Sequence, residues 1–374
     1  MKLLYVYLPA ALLLASMQAN AQKQVLKTAI DKTNSYKSIS YQQTDRQKSP
    51  FTDDWTTLKY KAATIRNSQA DSVELYDYHD LRGYRTVYNG NLIMSLDIAN
   101  KTYEIRKMGR ISNRATPYKW ARYIKDMLAL QAAQIKLLPD TVINQAPCFH
   151  VKRVLADLPA NKNISDLYLD KKTYLPVFIR ELMQGRMSKG NEVDDKITTL
   201  INEYTYTGYR INVKGLAIAS FTIPPDYVTE KKVAMLAAGD KAPDWTLKNS
   251  SGVTVSGKQF TGKVVLLDFS FNECAACMLS IPVLNRLHEK YKGSNVEIAT
   301  VNTSNTKESV AKFARKNNIN YPILLNGSRV SKSFQVSAYP SFYIIDKQGN
   351  VAASFEGYDK TLESSLITLI DKLR

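Results

Sequence analysis

The sequence predicts an α/β domain in residues 239–374 and an α+β domain in residues 22–230. Val264 to Phe269 is a run of β-branched and large apolar residues, which is typical of a strand buried on both faces. Apolar residues then recur at helical spacing from Leu279 to Tyr291, so a strand leads directly into a helix. The earlier residues alternate several strand-like segments with one long helical pattern, which favours a twisted antiparallel sheet packed on a helix.

The composition is that of a globular protein with a strong positive charge. The chain has 374 residues, 44% of them hydrophobic, and a net charge of +17. This length favours about two to three domains. A basic exported domain could lie against anionic lipid headgroups, but a solvated basic surface is the interpretation that we favour. Nucleic acid is not an expected partner, since no binding motif for it is present.

Residues 1–21 have the pattern of a secretory signal peptide. Lys2 gives a short basic start, Leu3 to Ser16 is apolar, and Ala19-Asn20-Ala21 is a cleavage signal. The apolar stretch is too short for a comfortable membrane span. We therefore expect a mature chain that begins near Gln22 in the periplasm of a Gram-negative bacterium. In that compartment a cysteine pair can cycle between dithiol and disulfide.

Two cysteines, Cys274 and Cys277, lie at the predicted junction of the strand and the helix. The first turn of a helix has unpaired N–H groups and the positive end of the helix dipole, and both favour an anion. A thiol placed there has its pKa lowered from about 8.5 into the range of roughly 3.5 to 7.5. We expect Cys274 to be the nucleophile. Cys277, almost one turn further on, would attack the resulting mixed disulfide.

The same spacing occurs in zinc sites and in structural disulfides. Zinc would need two more soft ligands, yet the remaining cysteine is Cys148, and His79, His150 and His288 form no paired motif. No metal is therefore expected. A structural disulfide would close a very short loop and constrain the unfolded chain little. A redox role is the favoured interpretation, while Cys148 is predicted to be a buried, inert strand residue or else an intermolecular partner.

From about Gly239 to the C-terminus the chain resembles the TlpA-like branch of the thioredoxin superfamily, which are exported thiol–disulfide oxidoreductases. The resemblance implies a thioredoxin-like fold, a central mixed sheet flanked by helices, with the Cys274–Cys277 disulfide as its redox group and no added cofactor. It is carried by an opening strand, an acid six residues before the first cysteine, a proline inside the helix, a proline loop with the strand and turn that follow it, and an inserted helix and strand: Gly239–Leu247, Asp268, Pro282, Ala338–Ser341, Phe342–Asn350 and Thr306–Leu325.

The resemblance also implies roles for four residues outside the cysteine pair. Asp268 lies in an apolar strand, where desolvation should raise its pKa and allow it to exchange protons with Cys277 near neutral pH. Pro340 is expected to be cis. It would place the carbonyl of Tyr339 and the N–H of Ser341 beside the sulfurs, where they can pair with an extended substrate.

The cysteine motif departs from the family pattern in ways that bear on its redox potential. Glu273 stands where the family usually has tryptophan, and Ala275-Ala276 separates the cysteines. No cationic side chain lies between the cysteines to stabilise the thiolate, and Glu273 would oppose it or select substrates by charge. Because stabilising the reduced thiolate makes such a site oxidising, we expect a comparatively reducing site.

The predicted strands of the first domain are bounded by turn residues. The chain also predicts a helix over Tyr118–Leu138 and a two-residue hairpin turn at Asn89-Gly90. Residues 231–238 are expected to link the domains, and they lack the composition of a flexible tether. The predicted strands are Ser72–Tyr78, Arg82–Tyr88, Asn91–Ile98, Thr102–Lys107, Thr141–Leu155, Asp166–Tyr168, Pro176–Met183 and Leu200–Asn212.

Three phrases of this domain resemble the LolA-like domains of outer-membrane lipoprotein sorting: Leu167–Val177, Tyr204–Asn212 and Phe221–Tyr227. The resemblance implies a curved antiparallel sheet around a helix, which in that family can hold acyl chains. A groove for lipid or an outer-envelope component is one hypothesis. A scaffold that positions the redox domain is the interpretation that we favour.

The favoured function is that of a disulfide reductase that acts on exported proteins and receives electrons from an upstream thiol donor. One alternative is a protein that binds lipid or envelope components and carries an accessory redox domain. A peroxidase of the peroxiredoxin type is less favoured. That family has proline and threonine seven and three residues before its reactive cysteine, where this chain has Leu267 and Phe271.

Overall fold

The computed structural model describes residues 7–66, 74–89, 92–107, 116–130, 134–189, 192–216, 222–229 and 233–374. The chain divides into two compact units. Unit 1 comprises Met1–Lys48 and Trp55–Glu230, and unit 2 comprises Ser49–Asp54 and Lys231–Arg374.

Among its described residues, unit 1 combines a large sheet with two α-helices. The helices are α1 (Tyr7–Ser35) and α2 (Pro117–Met127). The strands are β1 (Ser38–Lys48), β2 (Trp55–Arg66), β3 (Glu74–Asp80), β4 (Tyr84–Tyr88), β5 (Leu92–Asp97), β6 (Thr102–Lys107), β7 (Ile135–Ile143), β8 (Ala146–Leu158), β9 (Asn161–Asp170), β10 (Pro176–Lys189), β11 (Glu192–Ile211) and β12 (Val228–Thr229).

The strands of unit 1 form one sheet in the order β12-β6-β5-β4-β3-β2-β1-β11-β10-β9-β8-β7. Neighbours pair antiparallel, except that the short β12 runs parallel to β6. Each neighbouring pair apart from β12–β6 and β1–β11 is consecutive in the chain. The unit therefore consists of two meanders, β1 to β6 and β7 to β11. The pairing of β1 with β11 joins them in one sheet.

The core of unit 1 is rich in aromatic residues and includes both helices. Leu26 and Ala29 of α1 are fully buried, as are Trp120, Ile124 and Met127 of α2. Buried tyrosines of the strands bond through their hydroxyls, since a buried polar group without a partner is costly. Tyr41 and Tyr78 share a hydrogen bond of 2.7 Å, and the indole of Trp120 donates to the hydroxyl of Tyr206 at 2.6 Å.

Two predictions for unit 1 were wrong. The helix expected over Tyr118–Leu138 ends at Met127, and strand β7 begins at Ile135. The strand expected over Thr141–Leu155 is split between β7 and β8 by a turn at Asn144 and Gln145, whose φ angles are 49° and 67°. A two-residue hairpin turn of the type that matches strand twist needs both of its central residues in this left-handed region.

The signal peptide expected over residues 1–21 stays a prediction. Helix α1 runs through the expected cleavage point after Ala21, and Leu26 and Ala29 beyond that point are part of the core. Among the described helices, none is both long and apolar enough to cross a membrane.

At the expected turn after Asn89, Gly90 lies outside the described residues, although β4 and β5 on its two sides pair antiparallel. The likeness to LolA-like domains stays a prediction.

Unit 2 is a mixed sheet with helices on both faces. Its strands have the order β14-β13-β17-β16-β15-β18-β19, with β15, β16 and β17 parallel to one another. The strands are β13 (Thr246–Asn249), β14 (Thr254–Ser256), β15 (Val264–Ser270), β16 (Val296–Asn302), β17 (Ile323–Leu325), β18 (Ser341–Ile345) and β19 (Val351–Glu356). The helices are α3 (Ala275–Tyr291), α4 (Lys307–Lys316), α5 (Ser328–Ser333) and α6 (Leu362–Leu373), with a short 3-10 helix at Gly257–Phe260.

The central strand of unit 2 places the cysteine motif. All seven residues of β15 are buried, as expected for a strand covered on both faces. Leu266 on one face packs with α3 and α6, while Leu267 and Phe269 on the other pack with the segment around Phe334. This is the thioredoxin-like arrangement that was expected, and the inserted helix and strand correspond to α4 and β17.

Candidate functional site

The cysteine pair lies where β15 ends and α3 begins. Cys274 is the N-cap of α3, and Cys277 is the third residue of that helix. The two sulfurs form a disulfide, with 5.2 Å between the Cα atoms. Only 7% of Cys274 and 4% of Cys277 is exposed. The structure thus brings both predicted cysteines together at a helix N-terminus.

The helix places a positive field at Cys274. The backbone N–H of Cys277 donates to the sulfur of Cys274 over 3.1 Å, so the sulfur caps the helix. Helix α3 is 17 residues long and continues through Pro282. Its first N–H groups have no partner within the helix, and the helix dipole adds a partial positive charge there. A thiolate on Cys274 would be stabilised by this arrangement.

Asp268 is a buried acid on β15, six residues before the first cysteine. Only 2% of it is exposed, and desolvation raises its pKa to about 7, against the opposing effect of hydrogen bonds from Thr300 and Ser270. The hydroxyl of Thr300 donates to Oδ2 over 2.7 Å. Oδ1 has no hydrogen-bond partner among the described residues. The carboxyl can therefore change its charge near neutral pH.

A small cavity lies between this acid and the second cysteine. Asp268, Cys277, Thr300 and Tyr321 are among its lining residues, and its volume is about 10 Å³. That volume is about what one water molecule needs, and the polar atoms around it would give the water partners. Burial and the nearby Asp268 both raise the pKa of Tyr321, so its hydroxyl stays protonated. The cavity offers a route for a proton between Asp268 and Cys277.

The predicted proline loop borders the cysteine motif. The peptide bond between Tyr339 and Pro340 is cis, and Ser341 begins β18 opposite Phe269 of β15. The Tyr339 ring contacts the ring of Phe271 edge-on, with 5.4 Å between the centroids, and Phe271 lies in the loop that leads to Cys274. The loop is anchored on its other side, where the backbone N–H of Gly357 donates to the carbonyl of Pro340 over 2.8 Å.

Sequence reasoning did not find a group of asparagines beside Cys274. Asn305 donates through its side chain to the Glu273 carboxylate over 2.8 Å. Its own side-chain oxygen accepts from the backbone N–H of Asn272 at 2.8 Å and from the Asn302 amide at 3.1 Å. The Asn302 amide also donates to the side-chain oxygen of Asn272 over 3.1 Å. A weak signal was available, because Asn272 and Asn302 stand just after or at the ends of two adjacent parallel strands.

Other candidates lie apart from this site. Cys148 is a buried strand residue in unit 1, where burial raises the pKa of its thiol. His288 lies near the C-terminal end of α3. Within the described ranges, the structure has no cluster of three or more histidine, cysteine or acidic residues that could hold a metal ion.

Known proteins resemble the part of the chain that carries this site. The model of the AhpC/TSA family matches residues 238–354. A thiol-disulfide oxidoreductase ResA from Geobacillus kaustophilus is 34% identical over 143 residues, which are 38% of this chain and 81% of that protein. A thioredoxin-like protein YneN from Bacillus subtilis is 31% identical over 122 residues, which are 32% of this chain and 71% of that protein.

A solved structure of a thiol:disulfide interchange protein from a Bacteroides species is 26% identical, covers 36% of this chain and 91% of that one, and has a TM-score of 0.34. The family model falls within unit 2, where the disulfide, the buried acid and the cis-proline lie. With its match to ResA extending over most of that relative, the chain belongs to the family of the ResA thiol–disulfide oxidoreductases, and residues 238–354 match the AhpC/TSA model.

Proposed function

We propose that this protein reduces disulfides in exported proteins through Cys274 and Cys277. The observation that carries the proposal is the cavity that joins Cys277 to Asp268, behind a disulfide at the N-terminus of α3. This arrangement gives the two sulfurs different environments. Cys274 has the helix field, which favours a thiolate, whereas Cys277 has a buried acid as a proton acceptor.

The first step is attack on the substrate. In the reduced protein the Cys274 thiolate attacks one sulfur of a substrate disulfide, and the other substrate sulfur leaves as a thiolate that takes up a proton. The product is a mixed disulfide between Cys274 and the substrate. The proline loop supports this step, since the ring of Tyr339 contacts Phe271 in the loop that leads to Cys274. After the cis bond at Pro340, the Tyr339 carbonyl and the Ser341 N–H would pair with an extended substrate chain.

The second step releases the substrate. Asp268 accepts the proton of the Cys277 thiol through a water molecule in the cavity, and the Cys277 thiolate attacks the sulfur of Cys274. The substrate leaves with its second sulfur reduced, and the protein is left with the Cys274–Cys277 disulfide. Two electrons have passed to the substrate. A dithiol donor must then supply two electrons to restore the reduced protein.

The direction of electron flow follows from the charge next to Cys274. Glu273 precedes the N-cap, and its carboxylate opposes a thiolate on the neighbouring residue. No lysine, arginine or histidine lies between Phe271 and Met278. A site that stabilises its thiolate weakly is a weak oxidant and a good reductant. We therefore assign the reductase direction rather than disulfide formation.

The place of action is inferred from the N-terminal sequence. The basic start, the apolar stretch and the Ala19-Asn20-Ala21 motif support export with cleavage before Gln22, and hence partners among the thiols and disulfides of periplasmic proteins. Mass spectrometry of the protein purified from the envelope tests this. A mature N-terminus at Gln22 supports export, whereas a protein that retains Met1 contradicts it.

We assign unit 1 a scaffolding role. Side chains of α1 and α2 pack against the aromatic residues of the sheet in a single core, and Leu26, Trp120 and Tyr206 all belong to it. The other candidate, binding of acyl chains or of an outer-envelope component, predicts saturable uptake of a fluorescent fatty acid by the full-length protein. No uptake at micromolar concentrations would exclude it.

Reduction of insulin by the full-length protein tests the proposed function, with a small dithiol as electron donor. Wild type should accelerate the reaction, and Cys274→Ser should bring it to the uncatalysed rate. Cys148→Ser is the matched control, since it removes a buried thiol in the other unit and should leave the rate unchanged. Equal rates for wild type and Cys274→Ser would refute the proposal, and turnover of hydrogen peroxide instead of insulin would indicate a peroxidase.

A further inference from the structure

We propose that Asn305, supported by Asn272 and Asn302, is a positioning residue that holds the Glu273 carboxylate beside Cys274 and thereby makes the cysteine pair more strongly reducing. This inference rests on the proposed function and gives it a structural cause. It concerns residues outside the cysteine motif, the buried acid and the proline loop. The chain segments involved are the loop before α3 and the loop before α4.

The asparagines connect these two loops where the sheet no longer does. The paired residues of the parallel strands β15 and β16 end at Ser270 and Asn302. Beyond that point the backbone N–H of Thr303 still donates to the carbonyl of Ser270 over 3.1 Å. The hydroxyl of Thr303 donates to the same carbonyl, and side-chain amides then join the loop of Asn272 to the loop of Asn305.

Two of the three asparagines are buried, Asn305 is half-buried, and the amide groups of the network are paired. Only 1% of Asn272 and 2% of Asn302 is exposed. The backbone N–H of Asn305 donates to the Asn302 side-chain oxygen over 2.9 Å, and the Asn272 amide donates to the hydroxyl of Ser309 in α4 over 3.0 Å. Buried polar groups that are all paired make a rigid unit, because each alternative geometry would leave one of them unpaired. Asn305 is therefore fixed from three directions.

The network ends at the negatively charged carboxylate of Glu273. The Asn305 amide donates to Oε2 of Glu273, and Glu273 is half-buried and immediately precedes the N-cap. A free glutamate would turn into solvent, where water and salt weaken its effect. A glutamate held by Asn305 keeps its charge in the loop that immediately precedes Cys274. It also interacts with the same helix field that a thiolate on Cys274 would use.

The consequence concerns the reduced protein. A nearby like charge disfavours the thiolate and raises the pKa of the Cys274 thiol above the value that the helix alone would give. A less stable thiolate makes the reduced form of the protein less stable. The protein is then less able to introduce disulfides into a substrate, and its dithiol is a better reductant. Asn305 acts only through Glu273, and this feature makes the inference testable.

The test compares four variants of the full-length protein: Glu273→Gln, Asn305→Ala, the double variant, and Asn320→Ala as control. Asn320 makes the same kind of contact far along α3, where its amide donates to Glu289 over 3.1 Å. The pKa of Cys274 is measured from the pH dependence of alkylation of the reduced protein. The redox potential is measured by equilibration with glutathione, and thermal unfolding shows that each variant is folded.

Glu273→Gln should lower the pKa of the Cys274 thiol by about one unit and shift the glutathione equilibrium about tenfold, or ~30 mV, toward a more oxidising pair. Asn305→Ala should change both quantities in the same direction by about half as much, because the carboxylate then moves into solvent. In the Glu273→Gln background, Asn305→Ala should add nothing. Asn320→Ala should match wild type.

Two results would overturn the inference. One is an Asn305→Ala variant that keeps the wild-type pKa and potential while Glu273→Gln shifts them. The other is an Asn305→Ala effect that is equally large with and without Glu273, which would indicate a general change of the loop. These outcomes are separate from a failure of the proposed function, since a protein that does not reduce insulin at all can still be measured by alkylation and glutathione equilibration.

Discussion

Replacing Asp268 by asparagine should change how the stability of unit 2 depends on pH. Burial raises the pKa of this carboxyl to about 7, from the ordinary value of 3.8 that applies to the unfolded chain. Between these values the folded protein holds the proton and the unfolded chain does not. The contribution to stability is therefore complete below the unfolded pKa and is lost as the pH rises through the folded pKa.

The size of the effect follows from the separation of the two pKa values. Each unit is worth about 1.36 kcal/mol, and about two of the units lie between about pH 5 and about pH 7. From about pH 5 to about pH 8, the wild-type free energy of unfolding should fall by about 2.5 kcal/mol through this carboxyl. Asp268→Asn removes the titration. Any constant cost of burying the new amide cancels when the two pH values are compared.

Urea unfolding of the oxidised, full-length protein at about pH 5 and about pH 8 measures the pH dependence of stability for wild type and Asp268→Asn. Hydrogen exchange of peptides from β15 reports on unit 2. The oxidised form is used because the two cysteines do not titrate in it. Asp359→Asn is the control, since hydrogen bonds from Thr361 lower the pKa of that exposed carboxyl below its usual value. The free energy of unfolding of Asp359→Asn should depend on pH as that of wild type does. The same pH dependence for wild type and Asp268→Asn would refute the reasoning.

Three further outcomes are expected. Asp268→Asn should slow release of the substrate from the mixed disulfide and remove the rise of that rate through about pH 7, as measured by stopped-flow kinetics. Gly327→Ala should lower the free energy of unfolding of unit 2 by about 1–3 kcal/mol, since a Cβ would collide with the side chain of Val301; an unchanged melting temperature would contradict this. Leu26→Ala should cost unit 1 about 2–5 kcal/mol because Leu26 is fully buried in α1, and Lys27→Ala on the exposed face of that helix is the control.

Much of unit 2 could be predicted from the sequence because its signals are local. Val264 to Phe269 is apolar throughout, and a strand of that composition must be covered on both faces. The junction with α3 follows from the change to helical spacing, and the roles of the two cysteines were inferred from their place at that junction. The cis bond at Pro340 was expected from the resemblance. The burial of Asp268 followed from its apolar neighbours in the strand, and the structure places it at the cavity beside Cys277.

The asparagine network could not be predicted in the same way. Asn272 and Asn305 are separated by 33 residues, and they meet only because the ends of β15 and β16 lie side by side. Each asparagine taken alone reads as a turn residue. Their role depends on which amide faces which carbonyl, and sequence spacing does not determine that.

Unit 1 was harder to predict because its buried face is partly polar. Strands β1 and β2 were missed, and β1 buries Tyr41 and Gln43 on the face where a strand pattern would require aliphatic residues. The overlong helix prediction has a related cause. The spacing of Trp120, Ile124 and Met127 is helical and these residues do lie in α2, but the apolar residues from Ile135 onward belong to β7. Helix and strand patterns overlap over such short distances.

The most direct test of the account uses the two single-cysteine variants with a stoichiometric disulfide substrate, followed by intact mass spectrometry of the full-length protein. Cys277→Ser should form a mixed disulfide on Cys274 that persists, because the resolving thiol is gone. Cys274→Ser should form little adduct, because Cys277 is 4% exposed and has no thiolate-stabilising helix N-terminus of its own, and Cys148 is fully buried. Equal adduct formation by both variants, or none by either, would contradict the division of roles between the two sulfurs.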